Sequence, residues 1–189
     1  MDASRLDAVV VGAGPNGLAA AVALARAGYS VGVLEGSPKL GGGCRTAELT
    51  LPGFKHDVCA AVHPIGRASP FLNRLPLEQH GLTWLHPELP LAHPFDDGSA
   101  AELRRDLGET AAGLGADGPG YQDLFGPIVS DWPQLLPAIL GPLRIPRHPL
   151  VMARFGLPAL RSVAGLCRSQ FKGEHARALL AGISAHALV

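Results

Sequence analysis

The hexapeptide Gly12-Ala13-Gly14-Pro15-Asn16-Gly17 restricts what this chain can fold into more than any other stretch does. Ala8 to Val11 before it is a continuous apolar, valine-rich run, the composition of a strand covered on both faces in a parallel sheet. Pro15 to Ala27 after it reads as a helix, with proline in the first turn and Gly28 as the stop. Val31 to Leu34 reads as a second strand. It ends on Glu35, 18 residues after Gly17.

Each glycine has a mechanical reason in that order of elements. Gly12 allows the tight turn out of the strand, Gly14 lets the backbone approach a pyrophosphate, and Gly17 lets the helix lie close to the strand. The first-turn amides around Pro15 and Asn16, with the positive end of the helix dipole, then point at the phosphates. A carboxylate at Glu35 can accept both hydroxyl hydrogens of an adenosine ribose and repels a 2′-phosphate; neither Gly36 nor Ser37 supplies an arginine to receive one. The stretch is therefore expected to bind a dinucleotide through Gly12, Gly14, Pro15, Asn16, Gly17 and Glu35.

A second glycine cluster, Gly41-Gly42-Gly43-Cys44-Arg45-Thr46, follows a turn-rich link. Backbone amides at Gly42 and Gly43 and the fixed cation of Arg45 can wrap the same pyrophosphate. Ala47 to Leu51 and Phe54 to Val58 flank Pro52-Gly53 as a β-hairpin. The motifs GAGPNGL, the Glu35 acid, LGGGCRT, PGF, HD and HP, in this order over residues 9 to 64, resemble the phytoene desaturase-like group of FAD-dependent oxidoreductases. That group includes carotenoid desaturases and pyridine nucleotide-disulphide oxidoreductase domain-containing proteins, and belongs with the amine oxidase-like flavoproteins.

The resemblance implies FAD held non-covalently, with Gly12, Gly14 and Gly17 at its pyrophosphate, Glu35 at its adenosine ribose, and Gly42, Gly43 and Arg45 at the pyrophosphate and ribityl region. It implies hydride removal from a C–H bond of an apolar substrate, with an electron acceptor of undefined kind. No residue is named as acid or base. Cys44 near the flavin is expected to be a small buried thiol rather than a covalent attachment point, and His63 part of a His-Pro turn rather than a proton carrier. Two other readings stand beside this one: an NAD-dependent dehydrogenase, and a non-catalytic nucleotide-binding or interaction module.

Composition removes several alternatives. Sixteen acidic and sixteen basic residues balance, so net charge implies no polyanionic partner such as nucleic acid. Residues 8 to 25 carry no charge, but the glycines, Pro15 and Asn16 are explained by strand and helix rather than by a membrane span. Asp2 and Asp7 against Arg5 leave no basic leader, so a cytoplasmic protein is expected. Cys44, Cys59 and Cys167 are odd in number and lack C-x-x-C spacing, which supports neither a disulfide scaffold nor a dithiol. The eight histidines show no metal-ligand spacing.

The fold class expected is α/β: residues 1–66 as the N-terminal part of a Rossmann-like FAD-binding domain, and 67–189 as part of an α+β substrate domain, mainly helical after 105. The expected pieces are a short helix from Phe71 to about Gln79, strands at Leu82 to Leu85, Leu89 to His93 and Ala100 to Arg104, and a helix from Asp106 to Leu114. Between 122 and 143, Phe125, Ile128, Val129, Trp132, Leu136, Ile139, Leu140 and Leu143 form a helical stripe interrupted by Pro127, Pro133, Pro137 and Pro142. It reads as a core seam, a wall for an apolar substrate, or a peripheral membrane contact rimmed by Arg144, Arg147 and His148. Helices over Pro149 to Gln170 and Glu174 to Leu188 close the chain. No later β-α-β unit covers the free edge of the first strand, so the sheet is expected to be completed by a further C-terminal segment or a partner chain.

Overall fold

The computed structural model describes residues 5–185. The chain divides into two compact units, Met1–Gly81 and Leu82–Val189. In the first, β1 (Ala8–Val11), α1 (Pro15–Arg26) and β2 (Val31–Leu34) make a β-α-β unit in which Ala8 pairs with Val31 and Val11 with Leu34, in parallel. Valine-rich strands and an alanine-rich helix are the local preferences of this sequence, so propensity and topology agree. A proline in the first turn of α1 sacrifices an N–H that has no helical partner anyway. Gly28, at φ +93°, supplies the left-handed residue that turns the chain toward β2.

Helix α1 lies on the strands through small residues. Ala21 is buried, and Gly17, one turn earlier, sits directly over the Gly12 carbonyl. The expectation of β1 covered on both faces is not met within the described chain: Val9 and Val11 are 53% and 84% exposed, because one helix and one neighbouring strand cover a single face and a single edge.

A hairpin of β3 (Thr46–Glu48) and β4 (Lys55–Asp57) follows, with Thr46 opposite Asp57 and Glu48 opposite Lys55. It is the hairpin read around Pro52-Gly53, with shorter arms. After α2 (Pro64–Ala68), the helix expected from Phe71 to about Gln79 is instead two 3₁₀ turns, Leu72–Arg74 and Leu77–His80, since Pro76 interrupts a continuous helix. The Arg26 guanidinium reaches the Arg74 carbonyl at 3.5 Å within the first unit.

The second unit has one antiparallel pair, β5 (Leu91–Pro94) and β6 (Ala100–Leu103), closed by the Asp96-Asp97-Gly98 turn. Residues 82–85 form no strand; Leu85 is exposed and Pro87 and Pro90 punctuate the segment. Helix α3 (Leu107–Gly113) begins where Asp106 accepts the Glu109 amide at 2.9 Å, the cap read from sequence. The proline-punctuated stripe forms two helices, α4 (Gly118–Ser130) and α5 (Trp132–Ile139). Its burial narrows the core-seam reading: Phe125 packs against the core, whereas Val129, Trp132, Ile139, Leu140 and Leu143 are exposed, and Leu135, outside the stripe, takes the buried position. Asp131 parts the two helices.

Helices α6 (Pro149–Ala159) and α7 (Val163–Gln170) replace the single helix expected there and meet at 96°. Helix α8 (Glu174–Ala185) ends the described chain, and the expected continuation to Leu188 lies outside the described residues. Ala101, Ala111, Leu114, Tyr121, Cys167, Phe171 and Leu179 form this unit's core. Beside it the buried Asp117 accepts the Lys172 amide at 2.9 Å and the Gly173 amide at 2.6 Å, fixing the α7–α8 corner. Asp117→Ala removes both acceptors and is expected to cost about 2 kcal/mol, measurable as a shift in the urea midpoint. Among the described residues no single helix is long and apolar enough to cross a membrane.

Candidate dinucleotide site

Two glycine segments meet in the first unit. Gly12, at φ +98°, makes the turn out of β1, and its amide still bonds the Leu34 carbonyl at 2.7 Å, extending the parallel ladder by one step. Gly14 then caps α1 without a side-chain cap. From the other side, the Gly41 amide donates to the Ala13 carbonyl at 2.9 Å. This bond draws the Gly42–Cys44 3₁₀ turn against the first glycine turn. The approach is so close that a Cβ on Gly42 would stand 2.9 Å from the Gly14 Cα. Two backbones in contact without side chains leave amides accessible to a diphosphate, and the Gly42 side of the contact admits no Cβ.

Glu35 and Arg45 frame this contact. The Glu35 carboxylate accepts the Ala13 amide and the Ser37 amide, each at 2.8 Å, so it ties the end of β2 to the glycine turn. Arg45 donates from Nε to the Gly42 carbonyl at 2.8 Å and from a terminal nitrogen to the Ser37 hydroxyl at 2.7 Å. The arginine is thereby held over its own glycine loop, beside the carboxylate. The Ala13 amide first, then the Ser37 amide, hold the Glu35 carboxyl below its usual range, with smaller help from Gly36 and the Arg45 charge.

That depression has a defined pH consequence. Its folded value lies below its unfolded one, so its contribution is complete above the ordinary glutamate range and is lost as pH falls through the depressed folded value. In Glu35→Gln the corresponding part of the acid-side fall in thermal midpoint is expected to disappear. Melting curves of both proteins between pH 7 and about pH 3 check this.

The residues expected to bind the cofactor are thus gathered in one region: Gly12, Gly14, Gly42 and Arg45 around the contact, Glu35 beside it, Pro15 and Asn16 exposed in the first turn of α1, Gly17 against the Gly12 carbonyl, and Gly43 exposed on the 3₁₀ turn. Gly17 sits one turn inside the helix and serves packing. Sequence reasoning missed Ala13 and Ser37. A backbone amide leaves no mark in side-chain identity, and Ser37 lies in a Gly-Ser-Pro link whose composition says only that the chain turns. Cys44 is exposed, not buried as expected, because it lies at the open exit of the 3₁₀ turn. His63 is exposed and stands just before α2. Among the described residues no group of three or more His, Cys, Asp or Glu could hold a metal.

Similarity to known proteins agrees with this geometry. Residues 10–75 match the NAD(P)-binding Rossmann-like domain family. A limonene dehydrogenase of Castellaniella defragrans is 30% identical over 145 residues, 74% of this chain and 26% of that protein. All-trans-retinol 13,14-reductase of Danio rerio is 43% identical over 95 residues, 49% of this chain and 14% of that one. A solved structure of a putrescine oxidase triple mutant, redesigned in its cofactor binding, superposes on 93% of this chain and 36% of that one, with a TM-score of 0.51 and 25% identity. The chain therefore spans about a quarter or less of the length of these two curated relatives. Residues 10–75 are a Rossmann-like dinucleotide-binding domain, and the proteins to which the chain is similar are named as a dehydrogenase, a reductase and an oxidase.

Proposed function

We propose that this chain provides the adenine-dinucleotide half of an FAD-dependent dehydrogenase or desaturase acting on an apolar small molecule. The observation that carries the proposal is the Cβ-free contact between Gly14 and Gly42, flanked by Glu35 and Arg45. Gly12, Gly14, Gly42 and Gly43 would offer backbone amides to the pyrophosphate, Arg45 would neutralise it, and Glu35 would take the ribose hydroxyls. FAD, when bound, supplies the two-electron chemistry of the reaction; the protein supplies position and electrostatics. An apolar substrate is favoured by the names of the two curated relatives, a limonene dehydrogenase and a retinol reductase.

The exposed Val9 and Val11 on β1 favour a sheet completed by further strands, from more of the same polypeptide or from a partner chain. Exposed Leu140, Leu143, Ile145 and Leu150, next to Arg144 and Arg147, favour peripheral contact with a membrane in the second unit. A cytoplasmic location is part of the same proposal.

The second reading is a nicotinamide enzyme, favoured by the description of the matching domain as NAD(P)-binding. One experiment separates the two. The purified protein is expected to show a flavin absorption spectrum, and Glu35→Arg is expected to lose it, because a second cation replaces the ribose acceptor. A colourless protein that binds NAD, and not FAD, in equilibrium dialysis would reverse the assignment.

A further inference from the structure

Cys44 and Cys59 are 15 residues apart in sequence, yet the hairpin brings their backbone segments side by side. In the β3–β4 ladder Thr46 stands opposite Asp57. The pairing continues beyond the strand ends: the Val58 amide donates to the Arg45 carbonyl at 2.8 Å, and the Ala60 amide to the Gly43 carbonyl at 2.9 Å. Those two bonds bracket one residue on each side, Cys44 and Cys59. The Cys44 amide does not join the partner arm: it bonds the Gly41 carbonyl at 2.9 Å, closing the 3₁₀ turn of which Cys44 is the last residue. Two backbone bonds that bracket one residue on each side hold those residues next to each other, in the range of the about 4.4–6.8 Å between Cα atoms that a disulfide spans.

The Cys59 thiol already lies over the facing backbone, its Sγ 3.6 Å from where a Cβ on Gly43 would stand. Both thiols are free and exposed, so small oxidants reach them. Cys167 is different: it is buried in the second unit, with its thiol directed to the Arg177 carbonyl at 3.7 Å.

We propose that Cys44 and Cys59 form a reversible cross-strand disulfide, a redox-sensitive staple at the exit of the loop that carries Gly42 and Arg45. The oxidant is a low-molecular-weight disulfide of the glutathione class. One cysteine thiolate attacks it, displacing one equivalent of thiol and leaving a mixed disulfide. The second thiolate attacks the protein sulfur of that mixed disulfide and expels the other thiol. Two protein thiols are oxidised, one external disulfide is reduced to two thiols, and the two thiol protons pass to the departing thiolates. The staple would tie the end of the glycine loop to the second arm of the hairpin, limiting how far Arg45 can swing from Gly42. It needs no bound cofactor, so its test is independent of the FAD assignment.

The purified protein is incubated with oxidised glutathione, quenched in acid, alkylated, digested and read by mass spectrometry, natively and in urea. The native sample is expected to yield a peptide joining residues 44 and 59, lighter by two hydrogens and reversed by dithiothreitol, while Cys167 is alkylated only after denaturation. Cys59→Ser and Cys44→Ser are each expected to accumulate the glutathione adduct on the remaining partner, since no second thiol resolves it. In urea, pairs that include Cys167 are expected as well. Stable glutathione adducts on both residues of the native protein, disulfide-linked dimers through either one, or the same pairing in native and urea samples would each overturn the proposal.

Discussion

Gly17→Ala is expected to destabilise the first unit by about 3 kcal/mol, the upper end for forcing an extra methyl into a packed site, and to abolish dinucleotide binding with it. The added Cβ would lie 2.0 Å from the Gly12 carbonyl oxygen and 3.1 Å from its carbon. Both are backbone atoms of the turn itself, so no rotamer change relieves the overlap; α1 must lift away from β1. Lifting it uncovers Ala21 and displaces Gly14, so packing and the ligand contact fail together. A loss of that size is a large share of the roughly 5–15 kcal/mol that holds a domain folded. Gly36→Ala is the control: its Cβ would meet nothing within 4 Å, and it is expected to stay close to the parent. Urea titration of the three proteins decides the matter, and equal midpoints for Gly17→Ala and the parent would refute this role for the glycine.

The legible part of the molecule is the part whose residues answer to backbone geometry. Gly12, Gly17 and Gly28 are glycine because a turn, a helix–strand contact and a left-handed residue each exclude a side chain, so composition alone marks the strand-turn-helix-strand order. Asp106 and Pro52-Gly53 are readable for the same reason, since caps and turns are local. The stripe from Phe125 to Leu143 is apolar at helical spacing, yet most of it is exposed, because burial depends on what packs against a helix and periodicity does not register that. The strand expected at Leu82 to Leu85 needed a neighbour that the chain does not offer it. Within the site, Glu35 and Arg45 are visible as charges after glycine turns, whereas their ties to Ala13 and Ser37 depend on where two loops meet. The bonds from the hairpin's second arm to the Gly43 and Arg45 carbonyls, which bracket Cys44 and Cys59, are likewise a matter of register, invisible to cysteine spacing.

Gly42→Val is expected to weaken binding of the ADP moiety about 100-fold, or about 2.7 kcal/mol, while leaving the β-α-β unit folded. Gly42 is at φ +53°, a backbone conformation that a β-branched residue adopts only with strain. Its Cβ would stand 2.9 Å from the Gly14 Cα and 3.6 Å from Pro15 Cδ, so the loop must withdraw from the first glycine turn. Withdrawal breaks the bond from the Gly41 amide to the Ala13 carbonyl and carries Arg45, anchored on the Gly42 carbonyl, away from Glu35. The amides of the two turns then no longer converge on one diphosphate, which accounts for most of the expected loss. Helix α1 and its seat over Gly12 are untouched, so affinity falls further than stability does. Gly53→Ala, at the hairpin apex with φ +85° and nothing near its Cβ, separates backbone strain from cradle loss: it is expected to cost about 1 kcal/mol of stability and no affinity. Calorimetric titration with ADP reads the same site whether the full cofactor is FAD or NAD. A Gly42→Val protein that binds ADP within about threefold of the parent, a difference of only about 0.7 kcal/mol, would show that the two glycine turns do not act as one cradle.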